Sequence, residues 1–142
     1  MAIVYAVLYN RGMVKFQLDK LVRDKLLDTY YSLGQTPTYK ILKANEHKQM
    51  LVEKIIEEAS EIKHASDADL LSEIADVEQA LADLKLVCGI DQSQLDKIVH
   101  AKLGKRGGFE NATYIETLEL EDNDPWVKYY RKNPERFPEI SN

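Results

Sequence analysis

Few residue types that staple or interrupt a chain occur here. One cysteine, Cys88, rules out an intramolecular disulfide. Its neighbours (LKLVCGI) predict a small buried hydrophobe at an apolar helix end, and a reducing cytoplasm suits it. Only four prolines and six glycines are present, and three of the prolines fall after residue 124. Residues 18–109 therefore carry few breakers and can run as helices. Basic residues are outnumbered, 19 against 24 acids, giving a net charge of −5. That balance disfavours duplex nucleic acid as a partner. No apolar run reaches the roughly 20 residues a membrane span needs. The apolar start MAIVYAVLYNRG lacks the basic flank and cleavage site of a secretion signal.

What is present suits one globular domain over 1–142. Hydrophobic residues make up 44% and charged residues 30%, a folded composition and not a disordered one. Residues 3–9 (IVYAVLY) suggest a short strand within an N-terminal arm, 1–17. A first helix is expected from about Leu18 to Leu33, stopped by Gly34. A second runs from about Asn45 to His64, with Leu51, Ile55, Ala59 and Ile62 at helical period. Asn45 is its expected N-cap; Lys48 three positions later leaves no capping box. A third helix covers about Ala68 to Val87, its apolar stripe made of Leu70, Leu71, Ile74, Val77, Leu81 and Leu84. Gly89 ends it. A fourth spans about Ser93 to Leu103, started by Asp91 or Ser93 and closed by KRGGF. The fold class is all-α, an antiparallel helical bundle. Accessory strands are expected at the N-terminus and after residue 112, where YIETLEL alternates. The tail, 113–142, reads as an extended arm.

The acids carry the chemistry. On a helical wheel of about 100° per residue, with Leu51 as zero, Glu58 falls near 340° and Glu61 near 280°. With Leu70 as zero on the next helix, Glu73 falls near 300° and Asp76 near 240°. Both pairs flank an apolar stripe. Packing the two helices antiparallel brings four carboxylates to one edge of the seam, where their mutual repulsion calls for a cation. A hard divalent ion with oxygen ligands answers it. Against this stands the ordinary reading of helix acids as a solvated face.

The string KIIEEASE, holding Lys54, Glu57, Glu58 and Glu61, followed by EIAD with Glu73 and Asp76, resembles the MazG-like nucleotide pyrophosphohydrolases. Their signature is EExxE and then ExxD; the interval here is short for MazG proper. KxxEExxE is also similar to the phosphoribosyl-ATP pyrophosphohydrolases. LVRDK, with Arg23 and Lys25, and RGGF, with Arg106 and Phe109, match one subgroup of the superfamily, in order, across residues 20–110. The resemblance implies an all-α core in which Glu58, Glu61, Glu73 and Asp76 bind Mg²⁺, with Mn²⁺ as a substitute. Glu57 is then an extra ligand or the group that orients the attacking water. The implied reaction cleaves a nucleoside triphosphate between its α and β phosphates, giving monophosphate and pyrophosphate. Relatives of this kind form homodimers or homotetramers in the cytoplasm.

Basic residues complete the expected site. Lys54 lies on the acid edge of its own helix. Lys102, Lys105 and Arg106 in KLGKR resemble the KxxRR element and are candidates for gripping pyrophosphate. The alternative is a basic last turn that complements the helix dipole. Arg23 and Lys25 either contact substrate or pair with the acidic helices. Phe109 is expected to close over a base as part of a lid, or to dock in the core. Trp126 and Tyr129 stack a base or anchor the tail. Glu78, inside the apolar stripe, faces a subunit seam or binds Lys85. Two alternatives differ in chemistry. Phosphoribosyl-ATP hydrolysis is disfavoured by LVRDK, RGGF and the long tail. A non-catalytic nucleotide-binding helical module has no need of four converging acids.

Overall fold

The computed structural model describes residues 12–140, and the described residues hold five α-helices and no strand. They are α1 (Leu26–Ser32), α2 (Ala44–His64), α3 (Leu70–Val87), α4 (Gln92–Arg106) and α5 (Pro125–Arg131). The expected N-terminal strand at 3–9 lies outside the described residues. The chain divides into two compact units, Met1–Lys97 and Ile98–Asn142.

In the first unit, α2 and α3 pack against each other across a short break at Ala65–Asp69. Ser66 shapes that break: its Oγ donates to Asp69 Oδ2 at 2.6 Å and accepts from the Asp69 backbone N–H at 3.3 Å. Leu51 of α2 and Ala80 of α3 are the buried apolar residues of the described chain, at 2% and 6% exposure. Burying one leucine contributes roughly 1.5–3 kcal/mol. Ala80 allows the helices to approach closely, so α3 turns toward α2 the face that carries Ala80, with Glu73, Asp76, Val77 and Leu84 half-buried. Much of the expected α3 stripe lies elsewhere: Leu71 is 79% exposed, and Ile74 and Leu81 are exposed as well. The acids thus lie in the seam itself.

Several boundaries differ from the sequence expectation. The first helix begins only at Leu26. Asp19 holds a left-handed φ of 43°, which a helix cannot pass through and which Asp tolerates better than most residues. The side chain of Arg23 is tied to α3 by Asp76, and the chain turns into α1 through Leu26 N–H to Arg23 C=O, 2.9 Å. The N-cap of α2 is Lys43, not Asn45. Glu46, three residues on, accepts from the Lys43 backbone N–H at 3.3 Å and from Lys40 Nζ at 3.0 Å, supplying the reciprocal half of a capping box. Gly34 and Gly89 follow α1 and α3 with φ of 71° and 62°, the left-handed turn that ends a helix. Cys88 caps α3 and is exposed, not buried. Asp91 starts α4 by accepting from the Gln94 backbone N–H at 2.8 Å.

In the second unit, α4 ends at Arg106 and Gly107 turns the chain with φ 74°. Residues 113–120 form no strand, because no neighbouring strand offers them a ladder among the described residues. The tail is not simply extended: Asp124 caps α5 through the Trp126 N–H at 2.8 Å, and Pro125 sits in its first turn. Trp126, Tyr129, Tyr130 and Phe137 gather their rings, Trp126 edge-on to Tyr129 at 5.6 Å and Tyr130 edge-on to Phe137 at 5.0 Å. Arg131 closes the turn after α5 with a two-pronged grip on Glu139, 2.9 and 2.7 Å. No described helix is long and apolar enough to cross a membrane.

Candidate metal centre in the α2–α3 seam

The register of the hairpin sets the site. Glu58 and Asp76 are each nine residues from Asp67, and Glu61 and Glu73 are each six residues from it. Two antiparallel helices joined at that point must set Glu58 opposite Asp76 and Glu61 opposite Glu73. The three-residue spacing then stacks the two pairs one turn apart. Oxygens of Glu58, Glu73 and Asp76 lie within 4.8 Å of one another. Glu61 is exposed at the rim, near enough to Glu73 to raise the pKa of that carboxyl.

Burial makes this more than an acidic face. Glu58 is 4% exposed, the one buried polar residue of the described chain. Oε2 of Glu58 and Oε2 of Glu73 are both buried without a hydrogen-bond partner. A buried carboxylate oxygen with nothing bound to it is destabilising. Burial pushes the Glu73 carboxyl above the ordinary carboxylate range, and the nearby carboxyl of Glu61 and the charges of Asp76 and Glu58 push the same way. An all-oxygen donor set with two orphaned oxygens suits a hard divalent cation.

The chain's own cations partly offset the acids. Lys54, one turn before Glu58, places Nζ 2.5 Å from Glu58 Oε1 and 3.2 Å from Glu57 Oε1. Burial lowers the Lys54 pKa, but Glu58 and Glu57 outweigh it and the net shift is upward, so the ammonium stays charged. Arg23 reaches the opposite side of the cluster and pairs with Asp76. Lys20 stands 3.6 Å from Glu57. Lys20 directly precedes LVRDK and is a further cation at the site, with no periodic signal to mark it. Residues 19–21 and α2 border an open cavity of about 320 Å³, whose charged lining is Asp19, Lys20, Glu53, Lys54 and Glu57. Lys54 and Glu57 therefore border both the acid cluster and this cavity.

Other expected site residues fall elsewhere. Lys25 is exposed and caps α1 with its backbone. Lys102, Lys105 and Arg106 are exposed on α4 within the second unit, and Phe109 is fully exposed in the turn beyond, so it is not docked in a core. Glu78 is exposed, and Lys85, its expected partner, donates to Gln92 at 3.0 Å instead. Trp126 and Tyr129 serve the aromatic cluster of the tail.

The chain matches no family model, and no curated protein or solved structure is significantly similar to it.

Proposed function

We propose that the protein is a Mg²⁺-dependent pyrophosphohydrolase that cleaves nucleoside triphosphates between the α and β phosphates, clearing unwanted nucleotides from the cytoplasmic pool. Mn²⁺ substitutes for Mg²⁺ in this reading. The observation that carries it is the buried carboxylate of Glu58, with one oxygen unpartnered, facing Glu73 and Asp76 across the seam. The resemblance of KIIEEASE, EIAD, LVRDK and RGGF to MazG-like enzymes supplies the reaction class.

A divalent ion there neutralises phosphate oxygens and acidifies a bound water. Glu58, Glu73 and Asp76 would hold it, with Glu61 joining from the rim. Glu57 is half-buried beside Lys20 and Lys54; in this reading it is an extra ligand or orients the attacking water. Lys54 and Arg23 supply fixed positive charge for the phosphates. Lys102, Lys105 and Arg106 are the further cations in this reading, with Phe109 as the group that covers the base.

The reading also includes a homodimer or homotetramer. Leu71 and Leu86 are 79% and 80% exposed, and Ile56 on α2 is 58% exposed. Apolar helix faces of that extent suit burial against a second copy about a two-fold axis.

The test is a screen of nucleoside triphosphates and phosphoribosyl-ATP for pyrophosphate release, with Mg²⁺ and with a chelator. The expected result is Mg²⁺-dependent release of pyrophosphate from at least one nucleoside triphosphate, abolished in Glu61→Gln with the fold intact. Release from phosphoribosyl-ATP alone would move the activity to histidine synthesis. Binding without turnover across the whole panel would make the protein a non-catalytic module.

A further inference from the structure

Four carboxylates and three cations are interleaved in the first unit, and the cations are not spread at random. Lys54 touches the buried oxygen Oε1 of Glu58 at 2.5 Å, while Oε2 of the same group has no partner. Arg23 binds Asp76 from the other side. These two cations hold two of the three carboxylates that converge within 4.8 Å. A divalent ion shared by Glu58, Glu73 and Asp76 is attracted by the three carboxylates and opposed by the two cations, so it binds most tightly once those cations withdraw. Lys54 has somewhere to go. Its side chain is 21% exposed and also lines the open cavity of about 320 Å³ that Lys20 borders, both ammonium groups lying near Glu57 Oε1.

We propose that Lys54 and Arg23 are resident counter-ions of the acid seam, which a divalent ion displaces and which then turn to the phosphates of the ligand. The proposal rests on the reading of the seam as a metal site and adds what the chain's own cations do there. Without metal, they neutralise the acids and keep the hairpin packed. With metal bound, Lys54 joins Lys20 at the cavity, and the two ammonium groups receive a polyphosphate. Metal and phosphate binding are therefore coupled through the same side chains, because the ion frees the charges that grip the anion.

The coupling gives Lys54→Met opposite effects on two affinities, which a purely structural lysine would not produce. The test is calorimetric titration of the metal-free protein with Mg²⁺ alone, then of the Mg²⁺-saturated protein with inorganic pyrophosphate. Lys54→Met is expected to bind Mg²⁺ at least about tenfold more tightly, since no resident charge must leave. It is expected to bind pyrophosphate at least about tenfold more weakly, having lost one charge-assisted contact. Arg23→Met, whose side chain is 60% exposed, should likewise bind Mg²⁺ more tightly and covers the case in which Lys54→Met fails to fold. Mg²⁺ affinity unchanged or weakened in folded variants would overturn the exchange and leave the metal reading standing. Wild-type protein that binds no Mg²⁺ would remove the metal reading itself.

Discussion

Glu58→Gln separates what the acid seam does for folding from what it does for an ion. In the metal-free protein, Glu58 is repelled by Glu73 and Asp76, whose oxygens lie within 4.8 Å. At an effective dielectric of about 20, a carboxylate pair at that outer limit opposes folding by about 3.5 kcal/mol, and Glu73, whose pKa is raised, carries only part of its charge and adds less. The Lys54 ammonium at 2.5 Å attracts Glu58 by about 6.6 kcal/mol under the same rule. Desolvation of the buried Glu58 carboxylate adds to the repulsion, so the attraction and the opposing effects largely offset. Neutralising Glu58 in an equal volume should therefore change metal-free stability by only about 1 kcal/mol, or about 3 °C in Tm for a chain of this size. Mg²⁺ acts differently. At a hundredfold excess over its Kd it stabilises the wild type by about 2.7 kcal/mol. That corresponds to a rise of about 8 °C. Glu58→Gln removes the most buried ligand, and most of that rise should vanish. Differential scanning calorimetry with chelator and with excess Mg²⁺ measures both quantities. A full Mg²⁺ shift in Glu58→Gln would refute the assignment of the ion to this seam. A loss of more than about 3 kcal/mol in chelator would show that the Lys54 contact dominates the carboxylate repulsion.

Leu51→Ala, at the best-buried position of the α2–α3 packing, should cost about 2–5 kcal/mol in denaturant unfolding. Asp91→Ala removes the N-cap of α4 and should cost about 1 kcal/mol. Leu71→Asp, on the exposed face of α3, should halve the molar mass seen by light scattering if that face joins two copies. The Arg131 hydrogen bonds and charge hold the Glu139 carboxyl below its ordinary value of 4.5, so this contact stabilises the tail above that pH and loses its effect as pH falls through the lowered pKa. The stability difference between wild type and Glu139→Gln, followed by the fluorescence of Trp126, should accordingly shrink toward zero in acid.

Helical period was enough to locate α2 and α3, because stripes such as Leu51, Ile55 and Ile62 repeat with the turn of the helix, while α4 was marked by its start at Asp91 and the closing KRGGF turn. The capping and stop signals read less evenly. Gly34, Gly89 and Asp91 act at their expected places, since a left-handed turn or a carboxylate cap is a local property. The first helix starts late because Asp19 takes a left-handed backbone turn and Arg23 is tied to Asp76 far along the chain, neither of which helical period reveals. The tail failed for a similar reason: the ring cluster of Trp126, Tyr129, Tyr130 and Phe137 stabilises a helix that its composition alone does not suggest. For the site, the matched spacing of Glu58, Glu61, Glu73 and Asp76 about Asp67 was legible. Two features were not. The wheel placed the acids at the edge of the stripe, whereas Ala80 draws the helices together and leaves Glu58 only 4% exposed. Nor does periodicity reveal that Lys20 approaches Glu57, since that contact joins residues far apart in the chain.

Crystals grown with Mn²⁺ and measured for its anomalous scattering give the most direct test. The account predicts a strong peak between α2 and α3, ringed by the carboxylates of Glu58, Glu73 and Asp76, with the Lys54 ammonium moved away from Glu58. A map without a peak there, with Lys54 still seated on Glu58, would contradict it.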